Sequence, residues 1–181
     1  MVALNGQAAT AVSQHVQYVT VMMGANDVCT SSEATMTSAP VFQSQFTAAM
    51  STLTGGLPNA RIYIISIPDT YHLWDLLKNN SSARSAWSAF KICQSLLVNP
   101  TSTAQADVDR RARVRQRNID LNAVLQTVCA AYSQCRFDNN RAFNYPFAAS
   151  DISTRDYFHP SLSGQATVAR ETWDPALIFG P

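Results

Sequence analysis

Charge is scarce in this chain. Only 14% of its 181 residues are Asp, Glu, Lys or Arg, and the formal net charge is +1. No whole-chain field therefore exists to recruit nucleic acid or an anionic membrane surface. Long apolar runs are also missing, and none approaches the ~18 residues that cross a bilayer. The four cysteines form no Cys-x-x-Cys pair, and no histidine stands at zinc-like spacing from them, which argues against a structural metal site. There is no Gly-x-Ser-x-Gly elbow of the kind that presents a nucleophilic serine. The opening Met1-Val2-Ala3-Leu4-Asn5 lacks the basic and apolar stretches of a secretory signal.

What is present points to a folded protein. Hydrophobic residues make up 46% of the chain, and Ser, Thr, Asn, Gln and Ala dominate the remainder. That composition suits a packed domain with a polar, weakly charged surface and not a disordered segment. The length predicts one domain across residues 1–181. Cys29, Cys93, Cys129 and Cys135 are even in number and widely spaced. They suit two disulfides and an oxidising compartment, with four buried thiols as the alternative. Disulfides without an export signal are at odds, and the expectation is a true N-terminus upstream of Met1.

The hydrophobic pattern predicts alternating elements. Gln7 to Gln17 reads as a short helix, and Tyr18 to Met23 as an apolar strand covered on both faces. Phe42, Phe46, Ala49, Met50, Leu53 and Leu57 recur at helical spacing until Gly55-Gly56 and Pro58. Arg61 to Ile67 reads as a second buried strand. Strand, helix, strand with short loops is a βαβ unit, so the fold class expected is α/β with a mainly parallel sheet and helices on both sides.

Helices are expected at about Tyr71–Lys78, Ala83–Leu97 and Ala104–Tyr132. Val108, Ala112, Ile119, Leu121, Leu125, Val128 and Tyr132 would trace the inner face of the last. Asn139–Asp151 reads as irregular, with a short strand at Ala142–Tyr145. Ser163 reads as the N-cap of a final helix to about Trp173, ended by Pro175. Arg110, Arg111, Arg113, Arg115 and Arg117 split between helix faces. With Asp107 and Asp109 four residues before two of them, they read as a solvated, salt-laced helix. His15 and His72 read as structural or surface residues. Tyr71 and Trp74 read equally as core or as an acyl pocket wall.

Two short segments carry chemistry. Gly24-Ala25-Asn26-Asp27 follows the first strand, where a parallel sheet gathers ligands. Gly24 allows a sharp turn there, and Asn26 can aim an amide donor at a developing oxyanion. The competing reading is an Asn-Asp turn that bonds its own backbone. Asp156-Tyr157-Phe158-His159-Pro160 places a carboxylate three residues before an imidazole. Asp156 can take the Nδ1–H and leave Nε2 of His159 as a base, while Pro160 keeps His159 out of a helix. The competing reading is a surface histidine beside an unrelated aspartate.

Together these segments resemble the SGNH, or GDSL-type, hydrolase family, and within it the secreted actinobacterial esterase and lipase branch. Ser66-Ile67-Pro68-Asp69, the stretch Thr101 to Asn118 and Ser161-Leu162-Ser163-Gly164 add to the likeness, which runs from about Gly6 onward. The resemblance implies a three-layer α/β/α sandwich and a Ser/His/Asp acyl-enzyme mechanism on a small-molecule or lipid ester. In it His159 is base then acid, Asp156 orients it, Asn26 donates to the oxyanion and Gly24 shapes the turn. It implies no metal or organic cofactor, no nucleic-acid partner, a monomer, and a secreted full-length parent. It also implies pairing of Cys29 with Cys93 and of Cys129 with Cys135, although four cysteines allow three connectivities.

The likeness has a gap. The family's Gly-Asp-Ser segment and its second oxyanion glycine have no counterpart in this chain, since Gly6 lies too close to the Asn26 strand to be that glycine. The expectation is a chain lacking the first strand and the nucleophile, inactive on its own. The alternative is a non-catalytic, degenerate member that binds an acyl or glycan ligand. A further alternative is that another serine, such as Ser13 or Ser161, has replaced the nucleophile, but neither sits in a strand-to-helix elbow.

Overall fold

A computed structural model describes residues 1–173. In chain order come α1 (Val2–Ser13), β1 (Tyr18–Val21), α2 (Ala25–Val28), α3 (Ala39–Gly56), β2 (Arg61–Ile64) and α4 (Thr70–Leu77). They are followed by α5 (Ser81–Ala89), α6 (Gln94–Leu97), α7 (Gln105–Ala130), β3 (Cys135–Phe137), α8 (Arg141–Asn144) and α9 (Leu162–Thr172). Among the described residues the strands form one parallel sheet in the order β1-β2-β3. Parallel neighbours need crossovers, and α3 and α7 supply them.

The alternation along β2 separates the two faces of the sheet. Ile62 and Ile64 are buried in the main core with Phe42 and Phe46 of α3 and Val114 and Leu121 of α7. Tyr63 points the other way, and its hydroxyl donates to the carbonyl of Thr172 at the end of α9. Helices thus cover both faces, as a three-layer α/β/α fold requires.

Several expectations change in the structure. α1 begins at Val2 and ends at Ser13, because His15 takes a left-handed φ of 51°. β1 is not covered on both faces: Tyr18 and Thr20 are exposed and only Val21 is buried. It borders β2 alone among the described residues and so stands at the edge of this sheet. β2 stops at Ile64, and Ser66 and Ile67 turn to side-chain partners instead. The helix expected over 83–97 splits into α5 and α6, since Lys91 and Cys93 have φ of 53° and 44°.

The inner face of α7 is also displaced. Val108 and Ile119 are exposed, as is Ala112, whereas Arg111, Val114, Asn118, Leu121, Asn122, Leu125, Val128 and Cys129 are buried. That set traces one helical stripe at three- and four-residue intervals, widened at Leu121-Asn122 and Val128-Cys129, but its polar members hid it from a hydrophobicity count. The short strand lies at β3, where a buried–exposed–buried pattern pairs with β2. Residues 142–145 lie instead in and just after the helix α8. The N-cap of α9 is Ser161, whose Oγ accepts the Gly164 N–H at 3.1 Å. Ser163 bonds the Ser150 carbonyl instead, and Pro175 lies outside the described residues.

The arginines of α7 do not form the expected pairs within the helix. Arg110 meets Asp107 and the carbonyls of Ser95, Leu96 and Val98, and Arg113 reaches Glu33. Arg115 reaches Asp69, and Arg117 donates to the carbonyl of Thr37. Arg111 is buried beneath the Trp74 ring and donates to the carbonyls of Asn99 and Ser102. These cations tie loops to α7. The disulfides join Cys29 to Cys93 and Cys129 to Cys135.

Candidate functional site

At the carboxyl ends of the strands lies a cleft of about 510 Å³. Its size is in the range of small-molecule sites. Gly24 and Asn26 line one side, and His159 and Pro160 line another. The first and last parts of the chain therefore meet at one cavity. The loop after β2, from Ile67 to Thr70, closes it below.

Gly24 sits where β1 turns into α2, with φ of 120°. A Cβ there would come within 2.5 Å of the Ile67 side chain. The residue is glycine for both reasons, conformation and space. The turn leaves Asn26 exposed at the first turn of α2. Among the described residues its side-chain amide has no hydrogen-bond partner, so it does not close an Asn turn on its own backbone. Asp27 instead is buried, accepting from the Met1 nitrogen at 2.6 Å and from the Thr37 hydroxyl at 2.8 Å. In this tetrad the aspartate anchors and the asparagine faces the cavity.

The Asp156–His159 loop is equally determined. His159 donates from Nδ1 to Asp156 Oδ2 at 2.6 Å. Asp156 Oδ1 accepts the backbone N–H groups of Phe158 and His159, each at 3.0 Å. Partial burial pushes the Asp156 carboxyl up. The bond from the imidazole and the two backbone N–H groups outweigh that and hold it below its usual value. Tyr157 between them takes a left-handed φ of 57°. The loop is fastened at its neck by the bridge between Ile152 and Pro160 and by the Ser153 N–H to the His159 carbonyl, 2.8 Å. The ring of His159 is 71% exposed and lines the cleft, and Nε2 has no hydrogen-bond partner among the described residues. An Nδ1-anchored imidazole with a free Nε2 is the arrangement of a general base.

Sequence reasoning passed over the polar groups that hold the floor of the cleft. Asn122 accepts the Ile67 N–H at 2.8 Å and donates to the Ile67 carbonyl at 3.0 Å. Asn118 accepts from the N–H and hydroxyl of Thr70. Both are buried on α7, and their spacing from Leu121 and Leu125 was the available signal. Ser66 and Asp138 bond each other at 2.8 Å and take the N–H groups that open α8. His72 lines the cavity, and its Nε2 donates to the Phe147 carbonyl at 2.8 Å. Trp74 is core, with its indole N–H on the Pro100 carbonyl, and neither it nor Tyr71 borders the cleft. The apolar wall includes Leu73, Leu76, Ile152 and Val168.

No serine or cysteine borders the cleft among the described residues. Ser13 bonds the Thr10 carbonyl far up α1, and Ser161 caps α9. No group of three or more metal-ligating side chains stands together among them either. No described helix is long and apolar enough to cross a membrane.

Residues 2–167 match the GDSL-like Lipase/Acylhydrolase family. The chain belongs to that family. No curated protein and no solved structure matches it. As a family member it is a hydrolase of the SGNH type, and its two disulfides are compatible with an extracellular protein.

Proposed function

We propose that this GDSL-like chain forms one domain and carries the base and one oxyanion donor of a carboxylic ester hydrolase. The serine that completes the site comes from outside these residues. One observation carries the reading: the unpartnered amide of Asn26 and the open Nε2 of His159 border the same cleft. In that mechanism His159 takes the proton of a serine hydroxyl as it attacks the ester carbonyl. It then returns the proton to the departing alcohol. Asp156 fixes the ring and stabilises the imidazolium, and Asn26 donates to the tetrahedral oxyanion. Leu73, Leu76, Ile152 and Val168 give the acyl part of the substrate an apolar wall. The full-length protein, on this reading, is secreted and monomeric and uses no cofactor.

The test is the reading frame upstream of the Met1 codon, followed by assay of its product. An in-frame Gly-Asp-Ser, hydrolysis of p-nitrophenyl butyrate, and loss of that activity in His159→Ala and Asn26→Ala are the expected results. An active product indifferent to both substitutions would overturn the roles of base and oxyanion donor. The bare cleft favours a second reading, a non-catalytic module that binds an acyl or glycan ligand. A stop codon upstream, with an acyl ligand bound but not turned over, would put that reading first.

A further inference from the structure

The Asp156–His159 pair is held from behind by a residue that borders no part of the cleft. Trp87 lies on α5 and is 1% exposed. Its indole N–H donates to the carbonyl of Tyr157 at 3.0 Å. Tyr157 is the residue with φ of 57°, a conformation that costs a non-glycine residue energy unless its surroundings enforce it. The peptide unit joining Tyr157 to Phe158 is thus gripped at both ends. Its carbonyl takes the Trp87 N–H, and its N–H goes to Asp156 Oδ1. Asp156 Oδ2 then takes Nδ1–H of His159. An unbroken series of hydrogen bonds runs from a buried indole to the open imidazole, each polarising the next.

Trp87 is fixed in turn. Its own carbonyl accepts the Ile92 N–H at 3.1 Å and the Gln94 side chain at 3.2 Å. Gln94 follows Cys93, which is bonded to Cys29 just beyond α2. Ser95 adds a second tie, donating to the Val28 carbonyl and accepting the Thr30 N–H. The two segments that face each other across the cleft are therefore linked through α5 and α6 as well as through the sheet.

We propose that Trp87 is a positioning residue for the Asp156–His159 pair, acting through the Tyr157–Phe158 peptide. This rests on the catalytic reading of that pair, but its test does not involve turnover. Trp87→Phe keeps an aromatic ring and deletes the N–H. The Phe158 and His159 amides should then exchange with solvent about tenfold faster, the scale of one lost neutral hydrogen bond. The carboxyl of Asp156, followed by carbon NMR, should titrate at higher pH than in the parent. The amides of Ile62, Tyr63 and Ile64 in β2 should exchange as before. If Trp87→Phe does not fold, replacing the indole N–H at position 87 by sulfur, with benzothienylalanine, preserves shape and gives the same readouts. Unchanged exchange at Phe158 and His159 with an unmoved Asp156 titration would overturn the proposal. So would an acceleration shared equally by β2, which signals general loosening. Failure of ester hydrolysis by the full-length product, with these shifts present, would instead count against the catalytic reading alone.

Discussion

Breaking the Cys29–Cys93 bridge should cost this protein more than breaking Cys129–Cys135, by a margin that follows from loop length. The first joins residues 64 apart in sequence, the second residues 6 apart. Restricting the unfolded chain by loops of those lengths is worth about 4 kcal/mol and about 2 kcal/mol respectively. Against a total stability of roughly 5–15 kcal/mol, the longer loop is a major share. Its partners reinforce it, since Ser95 beside Cys93 bonds Val28 and Thr30 beside Cys29. The assay is urea unfolding of the Cys29→Ala/Cys93→Ala and Cys129→Ala/Cys135→Ala double variants, followed by fluorescence. With a slope of about 2 kcal/mol per molar, the midpoint should fall by about 2 M in the first and about 1 M in the second. Equal shifts, or a larger one for the short loop, would refute the entropic reasoning.

Three further outcomes are expected. Gly24→Ala should cost about 1–3 kcal/mol in the same unfolding assay, because alanine meets both the Ile67 side chain and a φ of 120°. Asn122→Ala leaves the buried Ile67 N–H without its partner. It should cost about 1–3 kcal/mol, with local exchange at Ile67 rising in native-state hydrogen exchange. The carboxyl of Asp156 is held below its usual value in the folded protein. Its contribution should be complete above the unfolded value of about 3.9 and be lost as pH falls through the lower folded value. Acid unfolding of Asp156→Asn should show a shallower dependence on pH in that window than the parent.

What could be read in the sequence were features whose cause is local. The φ-permissive Gly24 after an apolar strand, the three-residue offset of Asp156 and His159, and the helix α3 all follow from neighbours in the chain. β3 was missed because three residues carry too little pattern, and only pairing with β2 makes them a strand. The face of α7 was misplaced because tertiary partners, not hydrophobicity, decide it. Arg111, Asn118 and Asn122 are buried to serve the loops at 99–102 and 67–70. The split between α5 and α6 depends on left-handed residues near a disulfide, which no propensity foretells. Trp87 reads in the sequence as an ordinary core residue. Its bond to a carbonyl 70 residues away becomes visible only in the folded chain.

The most direct test of the account is to expose the 181-residue protein to a fluorophosphonate probe and to p-nitrophenyl butyrate. On the proposed reading, in which the serine comes from outside these residues, no stoichiometric adduct forms and no hydrolysis proceeds at enzymic rates. A single adduct on a serine within these residues, abolished by His159→Ala, would contradict it.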